Sequence, residues 1–522
     1  PAPPGPQRDA AICGDPEFLR AQVDEGLRRL RVDRLQPHRL DSAAATRSDP
    51  DAVSHPSRGA AGTEAELPGE GSWRVVVVGA SVAGLFAAAA AADSGNLVTV
   101  LERDALAGGP TPRAGVPQGR QPHVFLFRGL LALEELLPGS RQELLDSGAV
   151  PFDTGELPWF AERGWLPVDQ PAFEVLSMTR PLFEHVVRRR AEGLPGVRIR
   201  PASKVTGLRR GDRCWEVELA DGATVPADLV IDASGRSSRL PVWLAQVGVG
   251  VAPVSEVDSG VGYATRMYAA APSEGGAVGV IIQQTPATLA GGTALPVEGG
   301  RWLVSAVGCA ENRPPRDAAG FVSFLERLPD PALAQLVHHA GPLDDVAVHR
   351  QTANHRHHYE RVPDWPDGLL VVGDAFCAFN PIYGQGITVA ACEALLLRRV
   401  MATGLRPGYA RRLLRKFATV VSLPWAIATS EDLRYPTSTG RQSIPQALLG
   451  RWTRQLGRLA IHGNRRAHAV LARVYHLMGS PALLFHPALV AAALRALLTG
   501  YGPAAPRPAA LASFAGPRPP AK

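Results

Sequence analysis

The stretch that decides the fold is residues 73–104, "WRVVVVGASVAGLFAAAAAADSGNLVTVLERD". A short β-branched run, 74–78, ends at a glycine. An alanine-rich segment long enough for three helical turns follows, and a second apolar run, 97–101, ends at an acidic residue. Short apolar runs separated by a buried helix read as parallel strands covered on both faces. The turn between them carries Gly79 and Gly84, which serve the tight bend and the close approach of helix to strand. The middle glycine of the usual Gly-x-Gly-x-x-Gly pattern is Ser81. A serine there adds one small side chain, and its hydroxyl can itself meet a phosphate at the helix N-terminus. Glu102 follows Gly79 by 23 residues and closes the second strand, where a carboxylate accepts from ribose hydroxyls. These features predict a site for an ADP-ribose unit, whether of FAD or of NAD.

The choice between the two lies far downstream, in residues 367–397, "DGLLVVGDAFCAFNPIYGQGITVAACEALLL". A buried strand ends at Gly373-Asp374, and a Pro-x-x-Gly-x-Gly turn (Pro381, Gly384, Gly386) runs into another helix. Asp374 at a strand end can accept from a ribityl hydroxyl. The amides of Gln385, Gly386 and Ile387 open a helix and offer positive potential to an isoalloxazine edge that gains charge on reduction. A nicotinamide enzyme has no use for this second site.

With both sites in view, residues 73 to about 500 resemble the FAD-dependent monooxygenases of the para-hydroxybenzoate hydroxylase and squalene epoxidase type, and most of all the bacterial epoxidases of polyether biosynthesis. The resemblance is carried in order by "GASVAG", "RAGVPQGRQPH", "ADLVIDASGRSSRLPVWL", "VDSGVGYATRMY", "HYERVPDWPDGLLVVGDAFCAFNPIYGQG" and "LRYP". It implies an α/β fold: a Rossmann-like FAD-binding domain with an inserted mixed or antiparallel β-sheet substrate domain and a C-terminal helical region. It implies FAD as cofactor, O2 as co-substrate, and NAD(P)H or reduced flavin from a partner reductase as electron source. The cofactor set it implies is Gly79, Ser81, Gly84, Glu102, Arg103, Arg113, Arg180 (in "SMTRPLFEHVV"), Val205, Asp374, Gly384, Gln385, Gly386 and Ile387. Among these, Arg113 belongs near the pyrophosphate or flavin edge and Val205 near the adenine. Chemistry of this kind runs on a flavin C4a-hydroperoxide, with few side chains acting directly. Pro381 and His123 are the catalytic candidates, and Phe125, Tyr263, Arg266 and Tyr268 are the candidates for the substrate side. The reaction implied first is epoxidation of a lipophilic polyketide-type alkene; the alternatives are aromatic hydroxylation by the same fold and a non-redox cyclisation that keeps FAD. Gln121 and Gln385 stand where the epoxidases tend to carry histidine, and Gln385 matches the aromatic hydroxylases. The W-x-W-x-I-P signature of flavin halogenases is missing.

Around this core the chain divides further. Residues 1–72 form an N-terminal extension, expected to be largely a disordered linker, in which 9–42 resemble an aldo/keto reductase fragment too short to close a barrel. The FAD-binding domain is expected at 73–150, 195–255 and 365–403, and the substrate domain at 151–194 and 256–364. A helical region spans 404–502, and a Pro-rich tail, 503–522, reads as disordered. The net charge of +6 comes from scattered arginines, with lysine only at 204, 416 and 522. No basic, aromatic-interleaved face suggests nucleic acid as a partner. Five cysteines without a C-x-x-C pair suit a reducing cytoplasm. The longest apolar run, 82–92, is too short to span a bilayer, and Arg495 interrupts the apolar face of the last helix, so no stable membrane insertion is expected. The histidines at 349, 355, 357 and 358 lack acidic or cysteine partners, so no metal is expected; they read as a solvated strand. Cys377 reads as packing.

Overall fold

The computed structural model describes residues 72–123, 125–269 and 276–515. The expectations for residues 1–71, the aldo/keto reductase-like fragment included, and for 516–522 lie outside them. The first layer is a five-stranded parallel sheet of β1 (Arg74–Val78), β2 (Leu97–Leu101), β3 (Val197–Arg200), β4 (Leu229–Asp232) and β5 (Leu369–Val371), in the order β5-β4-β1-β2-β3. Its central strands are buried, Val77, Val230 and Leu370 having no exposed surface. That is why they read as unbroken apolar runs. The connection reverses direction at β1, so the carboxyl ends of β1, β4 and β5 open one crevice at the switch point. Helix α1 (Val82–Ala92) packs against β1 and against α3 (Gly386–Ala402), and its alanines let the two helices approach closely.

The second layer is a seven-stranded sheet ordered 347–349, 261–269, 301–309, 290–297, 280–282, 159–161, 164–165. All its pairings are antiparallel except that of 280–282 with 159–161. One face carries Ala264, Tyr268, Val304 and Ala306 into a core with the helices Ala318–Glu326 and Ala332–His339. The opposite face carries Tyr263, Ser305 and Val307 toward a cavity. The expected fold class is the observed one: a Rossmann-type layer, an added antiparallel sheet, and C-terminal helices.

Two boundaries differ from the sequence expectation. The segment 151–194 does not stay together. Strands within 159–165 join the second sheet, whereas the helix α2 (Arg180–Glu192) packs on α1 beside the nucleotide turn. Its buried Leu182, Phe183, Val186 and Val187 explain the choice, since they match the apolar surface of the first layer. The second concerns the tail. Residues 503–515 are ordered: Ala505 bridges Trp165, Arg507 pairs with Asp330 at 2.7 Å, and Leu511 and Phe514 are buried in the core of the second sheet. Proline and alanine content gave no sign of it, because two buried apolar side chains, an ion pair and a few backbone hydrogen bonds hold the segment.

Candidate functional site

Gly79 leaves β1 with φ +101°, and a Cβ there would meet the carbonyl oxygen of Ala233 at 2.7 Å. Only glycine allows the turn and the β4 loop to touch. Ser81 caps α1 without bonding its own helix. Instead its hydroxyl accepts from Arg180 Nη2 at 2.9 Å and donates to Glu184 Oε2 at 3.2 Å. Arg113 reaches the same cluster, donating from Nε to Glu184 Oε1 at 2.7 Å and from Nη1 to Asp104 Oδ2 at 3.0 Å. The substituted turn therefore presents a serine hydroxyl and two arginines where a conventional turn presents bare backbone. Glu102 accepts from Ala80 N at 2.8 Å and Asp104 N at 2.9 Å and sits 3.1 Å from Arg113. Ser203 N donates to Glu102 O at 2.6 Å, which brings Val205 to the same edge.

At the other end of the crevice, Gly373 takes φ +61°, with Ala83 where its Cβ would go. Asp374 follows. No donor among the described residues reaches its carboxylate; burial pushes its pKa up, and the charges of Arg236 and Arg180 oppose that. The Pro381–Tyr383 turn ends at Gly384 with φ +64°, and α3 begins at Gly386, so the amides of its first turn have no intrahelical acceptor. A buried polar network holds this turn from beneath. Asp432, at the end of α4 (Tyr409–Asp432), accepts from Tyr383 Oη at 2.8 Å, Asn354 Nδ2 at 2.6 Å and Asn380 Nδ2 at 3.1 Å. Tyr263 Oη donates to Asn380 Oδ1 at 2.8 Å. Arg236 donates to Phe379 O at 2.8 Å and to Ala353 O.

Against the same turn opens a cavity of about 670 Å³. Its walls are Trp159, Ile282 and Val307 of the second sheet with Leu157 just before it, Pro381 and Tyr383 of the turn, and residues of α4, α5 (Ile444–Ile461) and α6 (Arg465–Tyr475). The C-terminal helices thus roof the cavity as well as packing on one another.

Residues 74–250 match the family model described as FAD dependent oxidoreductase. The chain is 29% identical over 403 residues to "Protein Rv3254" of Mycobacterium tuberculosis, covering 74% of this chain and 84% of that one. It is 25% identical over 438 residues to "Ubiquinone hydroxylase UbiL" of Rhodospirillum rubrum, covering 79% and 87%. Among solved structures, the flavin-dependent brominase Bmp2 aligns with a TM-score of 0.58 at 13% identity, covering 82% and 98%. The Diels-Alderase PyrE3 of pyrroindomycin biosynthesis aligns at 0.54 and 19%, covering 77% and 80%. PqsL, a probable FAD-dependent monooxygenase of Pseudomonas aeruginosa, aligns at 0.53 and 18%, covering 70% and 97%. These likenesses are of fold.

The residues present fit FAD. The Asp374 carboxylate without a donor matches a ribityl hydroxyl, Ser81 with Arg180 and Arg113 matches a pyrophosphate, and the open amides at Gly386 and Ile387 match an anionic ring edge. Gln385, buried with neither amide atom partnered, lies at the same helix start. Of the other predicted residues, Arg103 points outward, 3.9 Å from Asp104. His123 donates from Nδ1 to Gln121 O at 2.8 Å, and burial together with Arg180 pushes its imidazole down to about 3, so it is neutral. Gln121 lines the cavity and bonds Thr265.

Three residues expected on the substrate side lie elsewhere. In the strand 261–269 side chains alternate, so Tyr263 faces the cavity while Arg266 and Tyr268 share the opposite face. Tyr268 is in the core under the helices, and Arg266 lies over its ring and donates to Asp344 O at 2.7 Å. Phe125 packs on Phe183, with ring centroids 5.0 Å apart. The histidines of the 354–357 strand are half-buried rather than solvated: His355 and His357 pack ring to ring at 4.5 Å, and His357 stacks on Tyr359. Among the described residues no group of His, Cys, Asp or Glu is arranged to hold a metal ion. Cys377 is buried, its thiol pushed far up by burial. No described helix is long and apolar enough to cross a membrane. Sequence reasoning missed Glu184, Arg236, Asn354, Asn380 and Asp432. "GRSS" contains Arg236 and "LRYP" follows Asp432, but a buried acid on a helix face has no motif of its own.

Proposed function

We propose that the protein is an FAD-dependent monooxygenase that transfers one oxygen atom from O2 to a lipophilic substrate, epoxidising an alkene of a polyketide-type natural product. The observation that carries this is the position of the cavity: about 670 Å³ with mostly apolar walls, bounded on one side by the Pro381–Tyr383 turn that leads into the flavin-binding helix. Bound there, FAD supplies the redox chemistry and the activation of oxygen. The chain does the rest. Arg180, Arg113 and Ser81 hold the pyrophosphate, and Asp374 fixes the ribityl chain. The α3 amides stabilise negative charge at the ring edge. The Asp432 network keeps Pro381–Tyr383 in place as the floor of the cavity, and apolar walls exclude water from the reacting faces. His123, neutral, keeps Nε2 without a partner and can accept a hydrogen bond there.

A second reading is aromatic hydroxylation, favoured by Gln385 and by the hydroxylase among the relatives. A third is a non-redox cyclisation, favoured by the fold likeness to PyrE3. A single experiment separates them. The purified FAD-loaded protein is reduced, mixed with isotopically heavy O2 and a long-chain terminal alkene or an alkylphenol, and the products are weighed by mass spectrometry. Label in an epoxide is expected; label in a phenol moves the assignment to hydroxylation. Failure to bind FAD, or conversion without O2, overturns the monooxygenase reading.

A further inference from the structure

The wall of the cavity formed by the C-terminal helices is not apolar. Arg451, Arg454 and Arg458 lie on α5 at spacings of three and four residues, which places them on one helical face, and all three line the cavity. Arg163 and Arg434 line it as well, and the carboxylates among its described lining residues are Glu162 and Glu431. Arg434 takes up both, at 2.7 Å each, and Glu431 stretches to Arg454 at 3.6 Å. Arg458 has no carboxylate within ion-pair distance among the described residues. Its guanidinium lies 3.9 Å from the centre of the Tyr501 ring, and its Nε is buried with no acceptor. An uncharged lipophile would fill the apolar part and leave this surplus of positive charge unneutralised.

We infer that the cavity takes an amphiphile, a lipophilic body carrying a terminal carboxylate or phosphate, and that Arg454 and Arg458 bind the anionic group. This rests on the reading of the cavity as the substrate site. Partly buried guanidinium groups whose hydrogen-bonding capacity is not used up make charge-assisted bonds about twice as strong as neutral ones, and their fork geometry suits both anions. The substrate is held by its charged end through α5 and by its chain through the second sheet, so chain length selects which carbon meets the flavin.

The test is calorimetric titration of the oxidised, FAD-loaded protein with four probes of one chain length: dodecanoate, dodecyl phosphate, methyl dodecanoate and dodecylamine. At least one anion is expected to bind tenfold or more tighter than the ester, with the amine weakest, and the advantage should shrink with added salt. The tighter of the two anions names the headgroup. The double variant R454Q/R458Q is expected to bring the anions to the affinity of the ester, and R454K/R458K to restore part of the difference. Flavin content equal to the parent protein shows that the variants are folded, and the exposed R451Q alone should give a smaller loss. Equal affinity for acid and ester, preference for the amine, no binding of any probe, or an unchanged double variant overturns the inference. Binding is read without reduction or O2, so this outcome is independent of whether oxygen transfer occurs.

Discussion

A methyl group on Gly84 would lie 1.9 Å from the carbonyl oxygen of Gly79, which is fixed backbone of the nucleotide turn. Gly84→Ala therefore forces helix and turn apart. The variant is expected to lose FAD on gel filtration, read as the flavin-to-protein absorbance ratio, and to be destabilised by about 2–4 kcal/mol. Asp374→Ala removes the acceptor for the ribityl chain without opening the turn. Here the fold should stay intact while FAD binds roughly 10- to 100-fold more weakly, the cost of one hydrogen bond to a charged group. These residues were legible because each answers to a conformational or chemical demand that sequence displays: a glycine after a strand, an acid at a strand end. Glu184 answers to a different demand. It neutralises Arg113 and Arg180, which approach it from the long loop after β2 and from its own helix, and that meeting exists only once α2 has docked on α1.

Helix α3 carries Glu393 on its buried face. One oxygen accepts from Gly373 N at 2.7 Å, and the other has no partner. Burial pushes this carboxyl up to about 8, and Asp374 adds to the effect. A raised carboxyl binds its proton more tightly in the folded chain, so its contribution to stability is complete below pH 4.5 and is lost as pH rises through 8. Asp432, pushed up to about 6, acts with the same sign over a lower window. Glu393→Gln keeps an acceptor for Gly373 and cannot ionise. Its melting temperature is expected to exceed the parent's at pH 8.5, by a margin on the order of 3 kcal/mol in stability, and to converge with it near pH 5. Equal pH profiles for the two proteins would contradict this. At this scale the strands and helices of the first layer were plain from their apolar runs. The facing of the strand 261–269 was not, because "GYATRMY" offers an aromatic on each side of a period of two, and only the helices Ala318–Glu326 and Ala332–His339 decide which side is core.

The molecule is held together across long stretches of sequence, and residues 505–514 are one such tie. Leu511 and Phe514 enter the core of the second sheet, and Phe514 meets Trp302 edge-on at 5.3 Å. A chain stopped at Gly502 is expected to melt several degrees lower while keeping its flavin. Leu511→Ala alone should cost about 2–4 kcal/mol by the loss of a fully buried side chain. A truncated chain as stable as the parent would show that the sheet covers itself. Composition hid this segment because proline and alanine describe what a chain does when nothing waits for it, and here a preformed groove does.

Arg507 pairs with an aspartate 177 positions earlier. Protein synthesis runs in one direction, and domains fold as they emerge. Every strand of the second sheet is therefore released from the ribosome before the segment that packs on Trp302 and on the helix Ala332–His339. During that interval the growing chain shows an unfinished apolar face, and rare codons or a stall ahead of residue 505 would hand it to chaperones or to aggregation.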